Sequence, residues 1–158
     1  MRILRNHSRA GLRRRGAVAV EAALVLPMVV IFLFGILEYG RYVMTLQMMT
    51  NAAREGAHYA LTHTQPVTIA GTTYGNATSD VTTIINKGLA GQSLASQSVQ
   101  IYCSDSIGTN IGLWTDTQVG QCVCVRITGN YRMLMANLLY LPANIPVVAQ
   151  SVMRSESN

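Results

Sequence analysis

Three cysteines, Cys103, Cys122 and Cys124, carry the most reactive side chains in the second half of this 158-residue chain. A thiol can form a disulfide, bind a metal or attack a substrate. A Cys103–Cys122 bond would close an 18-residue loop, worth about 3 kcal/mol by chain entropy, and Cys103–Cys124 is equally open by spacing. Strand parity stands against both pairings. Cys103 shares a face with Val99 and Ile101, whereas Cys122 and Cys124 lie opposite Val123, Val125 and Ile127, so a bulge or a strand end would have to reconcile them. Either pairing leaves one cysteine over, as a buried thiol or for pairing with another chain. A zinc site would need His58 or His63 beside the thiols, and C-x-C alone is not a zinc signature. A cysteine nucleophile lacks an orienting group or oxyanion hole at recognisable spacing. There is no phosphate loop, G-x-S-x-G or H-E-x-x-H. The acids Glu55, Asp80, Asp105, Asp116 and Glu156 show no paired spacing. The chain reads as a non-enzyme with no metal and no cofactor; an anchored, thiol-dependent envelope enzyme is the competing reading.

A fourth residue, Glu21, is informative because of where it sits. Ala17–Leu37 reads AVAVEAALVLPMVVIFLFGIL, 21 residues with Glu21 as the single charge. As a helix that segment spans about 30 Å, the thickness of a bilayer's hydrocarbon core. A charge near the middle of such a helix costs on the order of 2.5–3.5 kcal/mol and ordinarily has a partner. Lying five residues in, Glu21 could reach the cytoplasmic interface. Alternatively, cleavage after Gly16 would create a free amine at Ala17, which a carboxylate on a neighbouring helix could meet inside the membrane. Each unpaired subunit would then hold a poorly solvated charge, favouring side-by-side assembly.

The flanks set the orientation. Arg2, Arg5, Arg9, Arg13, Arg14 and Arg15 precede the span, while only Arg41 and Arg54 follow closely. The N-terminus is therefore expected in the cytoplasm and the remainder outside it. The apolar run exceeds the ~7–15 residues of a signal peptide, and GILEYGRY offers no small-x-small cleavage site. From Gly16 onward six basic residues face seven acidic ones, which excludes a basic surface for nucleic acid.

The arrangement RRRG-AVAVE resembles the cleavage region of type IV prepilins. The longer run GAVAVEAALVLPMVVIFLFGILEYGR, with NAAREGAHYA at Asn51–Ala60 and VVAQSVMRSE at Val147–Glu156, resembles TadE-like pseudopilins of tight adherence (Tad, or Flp) pili. One departure is Ala22, where many relatives carry an aromatic residue. The resemblance implies removal of residues 1–16 by a prepilin peptidase, with Gly16 and Ala17 flanking the cut and Glu21 in the pilin-glutamate role. It implies partners among other pilins or pseudopilins, the inner-membrane assembly platform and membrane lipid. The product would be a minor pilus or assembly component, in the bacterial inner membrane or in the pilus, acting in pilus biogenesis and surface adhesion. Arg54 and Glu55 would be a solvated stretch of helix or contacts to a neighbouring subunit. An uncleaved, membrane-tethered adhesion or binding module is the rival reading.

These residues need elements to place them. Tyr39, Tyr42, Val43, Leu46, Met49, Ala53, Ala57 and Ala60 recur at three- and four-residue steps, so the helix is expected to run from Ala17 to Leu61, bent at Pro27, with an apolar stripe turned toward the exported part. A strand is expected at Val67–Ala70. A short helix capped by Ser79 or Asp80 and ended by Gly88 or Gly91 should bury Val81, Ile84, Ile85 and Leu89. Strands are expected at Val99–Ser104, Val119–Thr128 and Ile145–Arg154, and Met133–Leu141 fits a strand or a helical turn. The expected class is α+β: a long helix packed on a small antiparallel sheet with a second short helix. The expected division is a leader at 1–16, a span at 17–37, a helical extension at 38–61 and a head at 62–158.

Overall fold

The computed structural model describes residues 10–64, 67–69, 72–74, 77–89, 92, 94–139 and 141–156; the first nine residues of the basic leader lie outside these. Helix α1 runs unbroken over Ala10–Thr62, about 80 Å if straight. It starts seven residues before the expected Ala17 and continues through Pro27. That proline removes one amide donor, at Ala23's carbonyl, which membrane helices tolerate.

Burial divides α1 into two halves. From Gly16 to Leu33 every residue is exposed, and this half is long and apolar enough to cross a membrane. Beyond it the helix buries a single stripe: Glu38, Thr45, Met49, Ala52, Ala53, Gly56, Ala57 and Ala60. The three- and four-residue steps of that stripe are those of one helix face. Tyr39, expected on it, is out of phase and exposed.

The stripe narrows to small side chains so that α2 (Thr78–Gly88) can lie close against it. A Cβ on Gly56 would stand 2.6 Å from Ile85 Cγ1, and one on Gly88 would stand 3.0 Å from Ala52 Cβ. Close approach lets Val81, Ile85 and Leu89 be buried, each large side chain contributing roughly 1.5–3 kcal/mol. Neither Ser79 nor Asp80 caps α2. The helix begins earlier, with Ala77 at the cap and no side-chain hydrogen bond there. Asp80 instead sits in the first turn, where its charge suits the helix dipole.

The head is built on an antiparallel sheet in the order β4-β3-β5-β6, formed by β3 (Ala95–Ser104), β4 (Asn110–Gly112), β5 (Cys122–Arg132) and β6 (Asn144–Arg154). A separate hairpin joins β1 (Val67–Ile69) to β2 (Thr72–Tyr74). Strand β5 starts three residues later than expected, because Val119–Gly120 form a turn in which Gly120 has φ +89°. It also ends later, held by pairing with β6 out to Arg132↔Asn144. Residues 136–139 form a one-turn helix, α3. Cross-strand pairs Ile101↔Val125 and Val99↔Ile127 line up on one face of the sheet. That face meets α1, and with Val147, Ala149 and Tyr131 it forms a core shared with α2. Trp114, in a short 3-10 turn at Trp114–Asp116, is buried, its indole N–H donating to the Thr78 hydroxyl at 3.2 Å.

Candidate functional site

Gly16, Ala17 and Glu21 lie on the exposed, apolar half of α1. Gly16 has open space where a Cβ would be. Glu21 stands one helical turn beyond Ala17, is exposed, and makes no hydrogen bond or ion pair among the described residues. Nothing among the described residues neutralises it. Placed in lipid, an isolated carboxylate is strongly disfavoured, so any partner for it must come from another molecule or from the membrane surface.

The second acid of the helix has the opposite fate. Reading order alone puts Glu38 in or near the membrane with no role, yet its side chain is buried where α1 meets the head. The Tyr131 hydroxyl donates to Glu38 Oε1 at 2.8 Å, the Leu134 backbone N–H donates to the same oxygen at 3.2 Å, and Arg41 Nη1 lies 3.3 Å away. A buried carboxylate needs such donors, since leaving it unsatisfied costs several kcal/mol. Tyr131 is itself fixed edge-on against Tyr42, with centroids 5.6 Å apart, and the Arg41 guanidinium lies 5.7 Å from its ring centre. Burial, and then the hydrogen bond to Glu38, push the Tyr131 phenol up to about 12. The available signal for this site was phase. Glu38 precedes Tyr42, Thr45 and Met49 by whole helical steps, and so belongs to the stripe that faces the head.

Arg54 and Glu55 project from the exposed side of α1, with no ion pair to either among the described residues. His58 is exposed as well. His63 stacks on Tyr59, centroids 3.9 Å apart, and its Nδ1 lies 2.9 Å from the Thr62 hydroxyl. The structure does not bring these histidines together with the cysteines: no cluster with the makings of a metal site occurs among the described residues.

All three cysteines are buried free thiols. The register explains why. Cys103 pairs with Val123, Tyr102 with Cys124 and Ser104 with Cys122. Partners in an antiparallel ladder share a face, so Cys103 points to the α1 side while Cys122 and Cys124 point to the other. No shift in the β3–β5 register occurs between Ser98 and Ser104, so the bulge that a Cys103–Cys122 or Cys103–Cys124 bond would require is not there. Cys103 Sγ instead lies 3.5 Å from Gln121 Oε1.

On that far face the β3–β4 turn folds back over the sheet. Asp105 accepts from the Ile107 and Thr109 amides at 2.9 and 2.8 Å. These bonds hold its carboxyl below the usual range, the Thr109 amide being the largest cause. Gly108 adopts φ +92° close to Gln150, and its carbonyl accepts from the Tyr102 hydroxyl at 3.1 Å. The turn, Arg126 and Gln150 line an open polar cleft of about 400 Å³.

What this arrangement offers is two interfaces on one helix: an uncompensated acid in its apolar half and a compensated acid where the head begins. No curated protein and no solved structure matches the chain. Residues 16–58, which span both acids, match the family model described as TadE-like protein. That family suggests a component associated with a Tad pilus, and it is not a known enzyme family. By this match the N-terminal portion of the chain, from the exposed glycine before the span to the stripe that carries the head, is similar to TadE-like proteins.

Proposed function

We propose that the protein is a minor pseudopilin or assembly component of a Tad-type pilus. It is stored in the bacterial inner membrane with the N-terminus cytoplasmic and the head outside. A prepilin peptidase removes residues 1–16, and the trimmed helix joins a bundle of pilins, with Glu21 offsetting the new amine at Ala17. The head then selects partners, Arg54 and Glu55 being available to a neighbouring subunit, and through the pilus the protein acts in surface adhesion. The observation that carries this reading is Glu21, exposed on an apolar helix with no partner among the described residues. A carboxylate so placed has a reason to seek a cation, and the new amine of a second, processed helix is one.

N-terminal sequencing of the native membrane protein, with and without a prepilin peptidase, tests it. The mature chain should begin at Ala17 only when the peptidase is present. Glu21→Ala should be inserted and processed but should fail to enter pili. A full-length chain in peptidase-competent cells would leave an uncleaved, tethered adhesion or binding module as the function.

A further inference from the structure

The connection between β5 and β6 reaches the helix at the level where the span ends. Leu134 N–H bonds to Glu38, the first residue after Leu37. The cavity beside that bond, about 530 Å³, is lined by Gly35 of the span together with Tyr39, Tyr131, Met133, Leu141 and Ile145. A hydrocarbon core of about 30 Å entered at Ala17 ends close to Leu37, so the cavity straddles the membrane boundary. Around it, apolar side chains face outward: Leu134 is 69% exposed, Leu141 49% and Tyr39 68%. Arg132, next to Tyr131 in sequence, is exposed, while Arg41 is held 3.3 Å from Glu38, which also takes the Tyr131 hydroxyl and the Leu134 amide.

We propose that this connection is a foot by which the head rests on phospholipid at the leaflet it faces. Exposed Leu141 of the foot lines the same cavity as Gly35 of the lipid-facing helix. Leu134 and Leu141 enter the headgroup–acyl boundary, Tyr39 sits among the headgroups as interfacial aromatics do, and Arg132 reaches a lipid phosphate. The Glu38–Tyr131–Leu134 bonds lock the foot to the helix, so lipid contact sets the tilt of the whole head. The proposal rests on Ala17–Leu37 being the membrane span.

The full chain reconstituted in phosphatidylcholine–phosphatidylglycerol vesicles provides the test, with acyl chains brominated either near the headgroup or near the terminal methyl. Leu134→Trp reports on the foot and Leu26→Trp on the span; both positions are exposed and tolerate the change. Native Trp114 gives a constant background, being buried beside Thr78. It lies far from the foot, because Val81, one turn further along α2, packs on Gly56, about 27 Å along α1 from Glu38. The expected result is loss of most of the Leu134→Trp emission with shallow bromines and little loss with deep ones, the reverse of Leu26→Trp. An unquenched Trp at 134 with a quenched Trp at 26 overturns the foot and leaves the span standing. Quenching at neither position overturns both. Deep quenching at 134 also overturns the foot, since the loop would then lie in hydrocarbon. If Arg132→Gln leaves the shallow quenching at position 134 unchanged, the arginine–phosphate contact is overturned.

Discussion

The hydroxyl of Tyr131, on the third strand of the head's sheet, donates to the carboxylate of Glu38 at 2.8 Å across 93 positions of sequence. This bond ties α1, one residue beyond Leu37, to the C-terminal end of β5. Its acceptor is buried, and the same oxygen also takes the Leu134 amide. The junction is therefore fixed in direction as well as in place.

Removing that hydroxyl with Tyr131→Phe should destabilise the head by about 1–3 kcal/mol, the cost of leaving a buried charged acceptor short of a donor. Thermal unfolding of the full chain in detergent, followed by Trp114 fluorescence, measures it. Glu38→Gln, which keeps an acceptor for Tyr131, should cost less than Glu38→Ala. Equal losses in the two Glu38 variants would show that the oxygen is not what matters there.

Alkaline pH should loosen the same junction. The phenol of Tyr131 is raised to about 12, by burial first and then by Glu38, and Tyr102 is raised by burial and by Cys124. A group whose folded value is raised stabilises fully below its unfolded value, about 10 for tyrosine. Stability should therefore fall as pH rises from about 10 through 12. Tyr131→Phe should flatten that slope, as measured by unfolding midpoints across the interval. Asp105 acts at the other end of the scale. Its lowered value adds stability above the ordinary carboxylate range that is lost as pH falls.

The helix–helix contact should tolerate no larger residue at Gly56. Gly56→Val places carbons where Ile85 now sits, and overpacking of this kind costs typically about 1–3 kcal/mol. The loss should appear in the head's unfolding midpoint while membrane insertion of α1 is unchanged. Unaltered stability would mean that α2 does not hold its place against α1.

Gly108→Ala should unseat the β3–β4 turn. The position has φ +92°, and an added Cβ would meet the Gln150 side chain. Left-handed strain in a non-glycine residue costs of order 1–3 kcal/mol. The Tyr102 phenol should then titrate closer to its ordinary value, because the turn that buries it has moved. Ultraviolet titration of phenolate absorbance reads this directly.

Alkylation in denaturant of protein taken from the exported compartment should count three thiols, since Cys103 faces away from Cys122 and Cys124. Alkylation without denaturant should be slow at all three, each being buried. A count of one would mean that two have paired; if mapping shows Cys103 to be one of them, β3 or β5 must have turned over.

Local order was legible in the residues themselves. An apolar run from Ala17 to Leu37, broken only by Glu21 and with arginines on one side, specifies a membrane-length helix because neither burial nor water suits it otherwise. The helical steps from Tyr42 to Ala60 and the alternation of Val99, Ile101 and Cys103 against Val123, Val125 and Ile127 specify one buried face each, since side-chain period follows backbone geometry. Short or weakly patterned pieces were less so: β4 has three exposed residues, and of the expected second helix only the start was misplaced, at an uncapped Ala77.

The fate of the two acids marks the boundary between the two kinds of information. Glu21 declares itself in sequence, because a lone charge among apolar neighbours is conspicuous whatever the rest of the chain does. Glu38 does not, because its donors arrive from Tyr131 and Leu134, more than ninety positions away. Only packing of the sheet on α1 decides that this carboxylate is buried and satisfied, that Tyr39 is left outside, and that the β5–β6 connection comes down to the level where the span ends. Periodicity says which side of an element is apolar; what that side meets depends on which distant segment folds back onto it.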